Sequence, residues 1–171
     1  MSLQIGALDL SLTDTGFCNP DGAVSSIAWA KVPKHKGKMT PQMIAELHIA
    51  RLEAARTFVR GALPFADLVV MEGYSYASKD GKAFDRAEIR GAIRLSCALR
   101  NLPFVEVDPG TIKMFATGLG NAGKPLMMVE AVKRLGYEGS NENEVDALWL
   151  WHLTHQYLGT PQPHARLATR R

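Results

Sequence analysis

Cysteine is scarce in this chain. Only Cys18 and Cys97 occur among 171 residues, and no CxxC pair is present. A disulfide framework and a thiolate zinc site are excluded as organising features, and a reducing cytoplasm is the expected setting. No apolar run approaches the roughly 20 residues of a membrane-spanning helix. The first residues lack a basic segment leading into an apolar one, so no signal peptide is expected. Charge is sparse near the end. Arg166, Arg170 and Arg171 are the only charged residues after position 158, and they account for the whole formal net charge of +3.

What is present suits a globular protein. A hydrophobic content of 46% and a charged content of 22% can build a substantial core. One domain is expected over residues 1–158, followed by a flexible basic tail, 159–171. Positive charge also gathers at Lys31, Lys34, Lys36 and Lys38. Basic loops around a neutral body suit a polyanionic partner, although solvated loops have the same composition.

The stretch Leu68-Val-Val-Met-Glu72-Gly73 is the natural centre of the chain. An uninterrupted apolar run reads as a strand covered on both faces. Glu72 then falls at the carboxyl end of that strand, where open α/β sheets bind ligands.

Around it, Gln4 to Leu10, Gly16 to Asn19 and Ala23 to Val32 read as three strands joined by two tight turns, an antiparallel meander. Val24, Ile27 and Trp29 are the bulky members of the third. Thr40 and Pro41 open a long helix to about Arg60, with Met43, Leu47, Ala50, Ala54 and Phe58 at helical spacing. After the central strand comes a loop with Tyr74, Tyr76, Lys79 and Lys82. A second helix, Ala83 to Arg100, turns Ile89, Ala92, Ile93 and Cys97 inward. Phe104 to Val107 is a short strand, and Asp108 caps a helix over Thr111 to Thr117. Pro125 starts a helix with Val129, Val132 and Leu135 inward. The last helix, capped by Asn141 or Asn143, runs to about Tyr157 and is apolar on most sides. The expected class is α/β, a mixed sheet of an antiparallel meander plus parallel strands, flanked by helices.

Chemistry concentrates in three carboxylates. Asp9 and Glu72 both end apolar strands, and if those strands are neighbours both emerge at one sheet edge. Asp146 lies on a helix that must pack on the same sheet to bury its tryptophans. Asn143 and Glu142 precede it by one helical turn. Such a cluster repels itself, and hard divalent cations with oxygen ligands resolve the repulsion. Read singly, Asp9 is a turn cap and Asp146 an exposed helix residue. Two ions about 4 Å apart can support phosphodiester hydrolysis.

These residues resemble a family. Leu8-Asp9-Leu-Ser-Leu-Thr-Asp-Thr15-Gly16, Val70-Met-Glu72, Arg90-Gly91, Pro109 to Lys113, Gly118 to Lys124 and Glu144-Val-Asp146-Ala-Leu148 follow the order and spacing of RuvC-type Holliday junction resolvases. The resemblance runs from about Ile5 to His155 and is closer to phage-borne variants. It implies a ribonuclease-H-like fold with a five-stranded mixed sheet, and structure-specific endonuclease activity on four-way DNA as a homodimer. It also implies Mg²⁺ or Mn²⁺, two ions per site. The catalytic residues would be Asp9, Glu72 and Asp146 with Lys113 and Lys124, and the metal would be held by Asp9, Glu72 and Asp146 with Asn143 or Glu142. Where the family commonly has a further aspartate, this chain has Asn143, a neutral donor. Tyr74 and Tyr76 could stack on bases at the junction centre, while Lys79, Lys82, Lys34 and Lys36 meet DNA phosphates.

Three further signals yield bland readings. Gly118 to Lys124 satisfies GxxxxGK, but a helix precedes it and Pro125 follows, so no nucleotide cofactor is expected. His48, His152 and His155 lack metal spacing. The second helix's apolar stripe, Ile89, Ile93 and Cys97, suits a partner face or the core equally. The competing functions are a non-catalytic junction-binding protein, with Asn143 marking a lost metal site, and a fragment of a sugar or acyl kinase, whose missing second lobe ranks it last.

Overall fold

The computed structural model describes residues 3–29, 38–73 and 83–160. Five strands form one sheet: β1 (Ile5–Asp9), β2 (Thr15–Cys18), β3 (Val24–Ile27), β4 (Leu68–Glu72) and β5 (Phe104–Val107). Their order is β3-β2-β1-β4-β5. β1, β2 and β3 pair antiparallel, while β4 runs parallel to both β1 and β5. This is the expected mixed sheet, of ribonuclease-H-like order. The helices are α1 (Pro41–Ala62), α2 (Ala83–Leu99), α3 (Pro109–Thr117), α4 (Lys124–Leu135) and α5 (Glu142–Leu158). No helix among the described residues is long and apolar enough to cross a membrane.

Side chains alternate across the sheet with the period of two that strand geometry imposes. Ile5, Ala7, Cys18 and Val70 pack with α3, α4 and α5 on one face. Leu8, Val69 and Met71 pack with Trp29, α1 and α2 on the other. Continuing the first series along each strand carries Asp9 and Glu72 to the α5 side.

α5 is buried almost all round, and its tryptophans find partners for their N–H groups. Trp151 Nε1 donates to the Ile5 carbonyl at 3.0 Å, and Trp149 Nε1 donates to the Met127 carbonyl at 3.1 Å. Unpaired, each buried donor would cost about 1–3 kcal/mol. The two bonds lock α5 to β1 and to α4. Caps fall where composition placed them: the side chains of Thr40, Asp108 and Asn141 each accept from the first turn of the following helix.

Two expectations need correction, and one open alternative is decided. β3 ends at Ile27, short of Val32, and Trp29 lies beyond it, buried, with Nε1 donating to the Ser11 carbonyl at 2.6 Å. In α4 it is Met127 and Ala131 that enter the core, whereas Val129 and Val132 are exposed. The core stripe starts at Met127, the fourth residue of the helix, and repeats every four residues through Ala131 to Leu135, so the β-branched pair lands outside. Ile89, Ile93 and Cys97 pack against Phe58 and Val59 of α1 and against Met71, so that stripe is core and not a partner face. The apolar residues that α2 exposes are Phe84, Leu95 and Leu99.

Candidate metal-dependent nuclease site

The site forms where β1 and β4 end and α5 begins. The parallel register pairs Ile5 with Leu68 and Leu8 with Met71, so one more step sets Asp9 beside Glu72. On the other side of β1, Asp9 pairs with Gly16 of β2. That glycine is required by close approach. A methyl group at position 16 would stand 1.9 Å from the Asn143 carbonyl oxygen, inside the first turn of α5. Gly16 thus lets α5 settle onto β2 and brings Asp146 over the two strand ends. The Thr15-Gly16 signature is thereby a packing requirement of the site.

The carboxylates feel one another. Asp9 is buried, with 6% of its surface exposed. Burial first, then a hydrogen bond and charge repulsion from Glu72, then the charge of Asp146, hold its carboxyl well above the usual range, while Lys124 opposes the rise. A hydrogen bond between two carboxyl groups needs one proton shared by the pair. Asp146 is pushed up to about 6, again chiefly by burial, with Lys124 pulling it down and Glu72 pushing it up. Lys113 of α3 also lowers it.

Lys124 is the first residue of α4. Its Nζ lies 3.6 Å from Asp146 Oδ2 and 3.7 Å from Glu142 Oε2, and donates to Asn143 Oδ1 at 3.2 Å. The ammonium therefore sits among the three α5 side chains expected to face a cation. Among the described residues, no three Asp, Glu, His or Cys side chains are arranged as a ready metal cage. The chemistry of the donor set nevertheless fits a hard divalent ion: all donors are oxygens, and Asp9 and Asp146 are short of compensating positive charge. Asn143 and Glu142 both point their oxygens at Lys124, so both stand at the same point of the site.

Two residues lay inside the matching motifs without a role assigned to them. Arg90 of α2 is buried, and its guanidinium donates to the Glu72 carbonyl and to Glu106 Oε1, fixing the end of β4 from the opposite face. Asp14, in the turn between β1 and β2, accepts from Asn141 Nδ2 at 2.9 Å and Asn143 Nδ2 at 3.3 Å. Those bonds hold the Asp14 carboxyl below its usual range, the one to Asn141 most strongly. The signal was an Asn-x-Asn pair at a helix start, facing an Asp in a turn. The histidines are structural: His48 meets Glu88 at 2.6 Å, and His152 and His155 are buried beside Trp151. The glycine-rich turn follows α3 and leads into α4, with Gly118 closing α3 in the left-handed region (φ 78). Tyr74, Tyr76, Lys79, Lys82, Lys34 and Lys36, and the tail arginines, lie outside the described residues.

With this geometry the chain can be compared with known proteins. No protein-family model matches it. It is 31% identical over 70 residues to the crossover junction endodeoxyribonuclease RuvC of Carboxydothermus hydrogenoformans. That stretch spans 41% of this chain and 44% of the relative, less than half of its length. Among solved structures it resembles Thermus thermophilus RuvC with a TM-score of 0.53 at 19% identity, over 93% of this chain and 98% of that one. The T. thermophilus RuvC in complex with a Holliday junction substrate aligns with a TM-score of 0.53 at 17% identity, over 91% of this chain and 93% of that one. The chain has the ribonuclease-H-like fold of the RuvC resolvases, and it resembles one RuvC in sequence over the 70 residues that match.

Proposed function

We propose that this protein is a metal-dependent endonuclease that cuts phosphodiester bonds in four-way or other branched DNA. The observation that carries the reading is the meeting of Asp9, Glu72 and Asp146, from β1, β4 and α5, at the carboxyl end of the parallel strands. A buried Asp9 with two half-buried carboxylates against it is costly in a protein without a use for the cluster. The likeness to a RuvC that was solved with a Holliday junction supports branched DNA as the ligand.

Asp9, Glu72 and Asp146 would hold Mg²⁺ or Mn²⁺, two ions per site, with Asn143 or Glu142 completing the set. Bound there, such ions supply an activated water and charge stabilisation of the leaving oxygen. The chain's own residues set the conditions. A bound cation would offset the burial and the Glu72 charge that hold the Asp9 carboxyl high, and so would favour its anionic form. Lys124 leaves Asp146 and turns its ammonium to the scissile phosphate, and Lys113 stands behind it as a second positive charge. Arg90 keeps the Glu72 backbone still while these charges rearrange. Outside the described residues, Tyr74 and Tyr76 stack on bases at the crossover, and Lys79, Lys82, Lys34 and Lys36 grip phosphates. Two strands are nicked symmetrically, so the working form is a homodimer.

The pairing of Lys124 with Asp146 favours one second reading, a protein that binds junctions without cutting them. The test is to incubate the protein with labelled four-way junctions and linear duplex, with and without Mg²⁺. Paired nicks in the junction that need Mg²⁺ support the nuclease. Binding without nicks at any divalent ion supports the second reading.

A further inference from the structure

Asn143 stands where the resembled family commonly carries an aspartate, and the structure surrounds it with fixed charges. Its Oδ1 accepts from the Lys124 ammonium at 3.2 Å, and its Nδ2 donates to Asp14 Oδ2 at 3.3 Å. An ammonium can only donate and a carboxylate can only accept, so the orientation of this amide is determined by its neighbours. Turned over, the amide would set its NH₂ against Lys124 and its oxygen against Asp14, losing both bonds and gaining two repulsions. Asp14 is itself held firmly. It also accepts from Asn141 Nδ2 at 2.9 Å, and its backbone N–H donates to Ser11 Oγ at 3.0 Å within the β1–β2 turn. Asn141 in turn caps α5, with Oδ1 accepting from the Asn143 and Glu144 backbone N–H groups. The turn and the start of α5 are thus stitched together beside the site, where Gly16 lets them approach.

We propose that Asp14 is a positioning residue for the nuclease site: it aims the Asn143 oxygen at the point that Lys124 shares with Asp146, and carries, one residue further out, the negative charge that position 143 lacks. The choice of residues at 14 and 143 is then a coupled one. An aspartate at 143 would hold two carboxylates at hydrogen-bonding distance with no proton or cation between them. An asparagine at 14 would remove one of the two charges, and its NH₂ can donate to the new carboxylate while Asn141 Nδ2, which shares the same Asp14 Oδ2, keeps its bond to Ser26 Oγ. The natural pair yields a neutral donor of fixed orientation, and the exchanged pair would yield an anionic one.

This inference rests on the nuclease reading, and the experiment separates the two. The variants are Asp14→Ala, Asp14→Asn, Asn143→Asp, Asn143→Ala, and the doubles Asp14→Asn/Asn143→Asp and Asp14→Ala/Asn143→Ala. Each is measured for thermal stability in metal-free buffer and for the Mg²⁺ concentration that half-saturates junction cleavage. Asn143→Asp should melt at least about 3 °C below the natural protein, and adding Asp14→Asn should recover most of that loss. Asp14→Ala should raise the Mg²⁺ requirement about 10-fold, as should Asn143→Ala, and their double should be no worse than either single variant. The exchanged pair should need less Mg²⁺ than the natural protein. Independent effects, with the alanine double summing the two losses and the exchange no better than Asn143→Asp alone, would overturn the proposal. If the natural protein neither cleaves nor responds to Mg²⁺, the nuclease reading fails. The melting data still decide whether Asp14 and Asn143 are coupled.

Discussion

Burial pushes the Asp146 carboxyl up to about 6 from its ordinary 3.8, even with Lys124 and Lys113 nearby. Between about pH 4 and 6 the folded protein therefore holds a proton that the unfolded chain has released. Stability from this group is fully present below the unfolded value and is lost as pH rises through the folded one, between about 4 and 6. Two pH units correspond to about 3 kcal/mol. In metal-free buffer, Asp146→Asn should raise the melting temperature by several degrees at pH 8 and leave it almost unchanged at pH 4. Thermal melts of both proteins across that range check it. A variant less stable at every pH would mean that the Lys124 contact outweighs burial. His155 works in the opposite direction, because burial lowers its pKa and stability falls as pH drops below its ordinary 6.5. It is the same in both proteins and cancels in the comparison. The anionic residues were legible in the sequence because each ended an apolar run or sat on an apolar helix. Asp14 was not, because its role depends on a hydrogen bond across more than a hundred residues to Asn143.

At the scale of elements, the site depends on how close α5 comes to β2. Gly16→Ala would force the Asn143 backbone to move, since the new methyl meets backbone atoms and not a flexible side chain. The expected cost is about 1–3 kcal/mol, with cleavage lost further than stability because Asp146 moves away from Asp9. Melting curves and single-turnover cleavage of the same variant test this; normal cleavage would mean that α5 relaxes without moving Asp146. Arg90→Gln should similarly loosen the end of β4 and lower cleavage, while junction affinity stays near normal. A gel-shift titration beside the cleavage assay separates these effects, and equal loss of both would place Arg90 in DNA binding instead. The strand and helix order was legible because the strands were short apolar runs between clear turns and the caps were of standard chemistry. The outward placement of Val129 and Val132 was not, because β-branched residues at helical spacing mark a stripe without saying which side of the helix the sheet takes.

At the scale of the molecule, the five strands and five helices of the described residues place three carboxylates from distant parts of the chain at one end of the sheet, and the resembled RuvC structures share that fold. The proposed homodimer is tested at this scale. Light scattering should find two copies, both free and with junction bound, and a monomer in both states would remove the symmetric-nicking account. If a dimer forms through α2, the exposed Phe84, Leu95 and Leu99 are the apolar residues available to it.

The account stands or falls on the three carboxylates acting as one anionic site. The most direct measurement is cleavage and binding of a labelled four-way junction by Asp9→Asn, Glu72→Gln and Asp146→Asn over a Mg²⁺ series, beside the natural protein. The prediction is that the natural protein nicks the junction only with Mg²⁺, and that each variant binds with near-normal affinity and cuts at least ~10³-fold more slowly. Mg²⁺-dependent cleavage at a near-normal rate by any one of the three would contradict it.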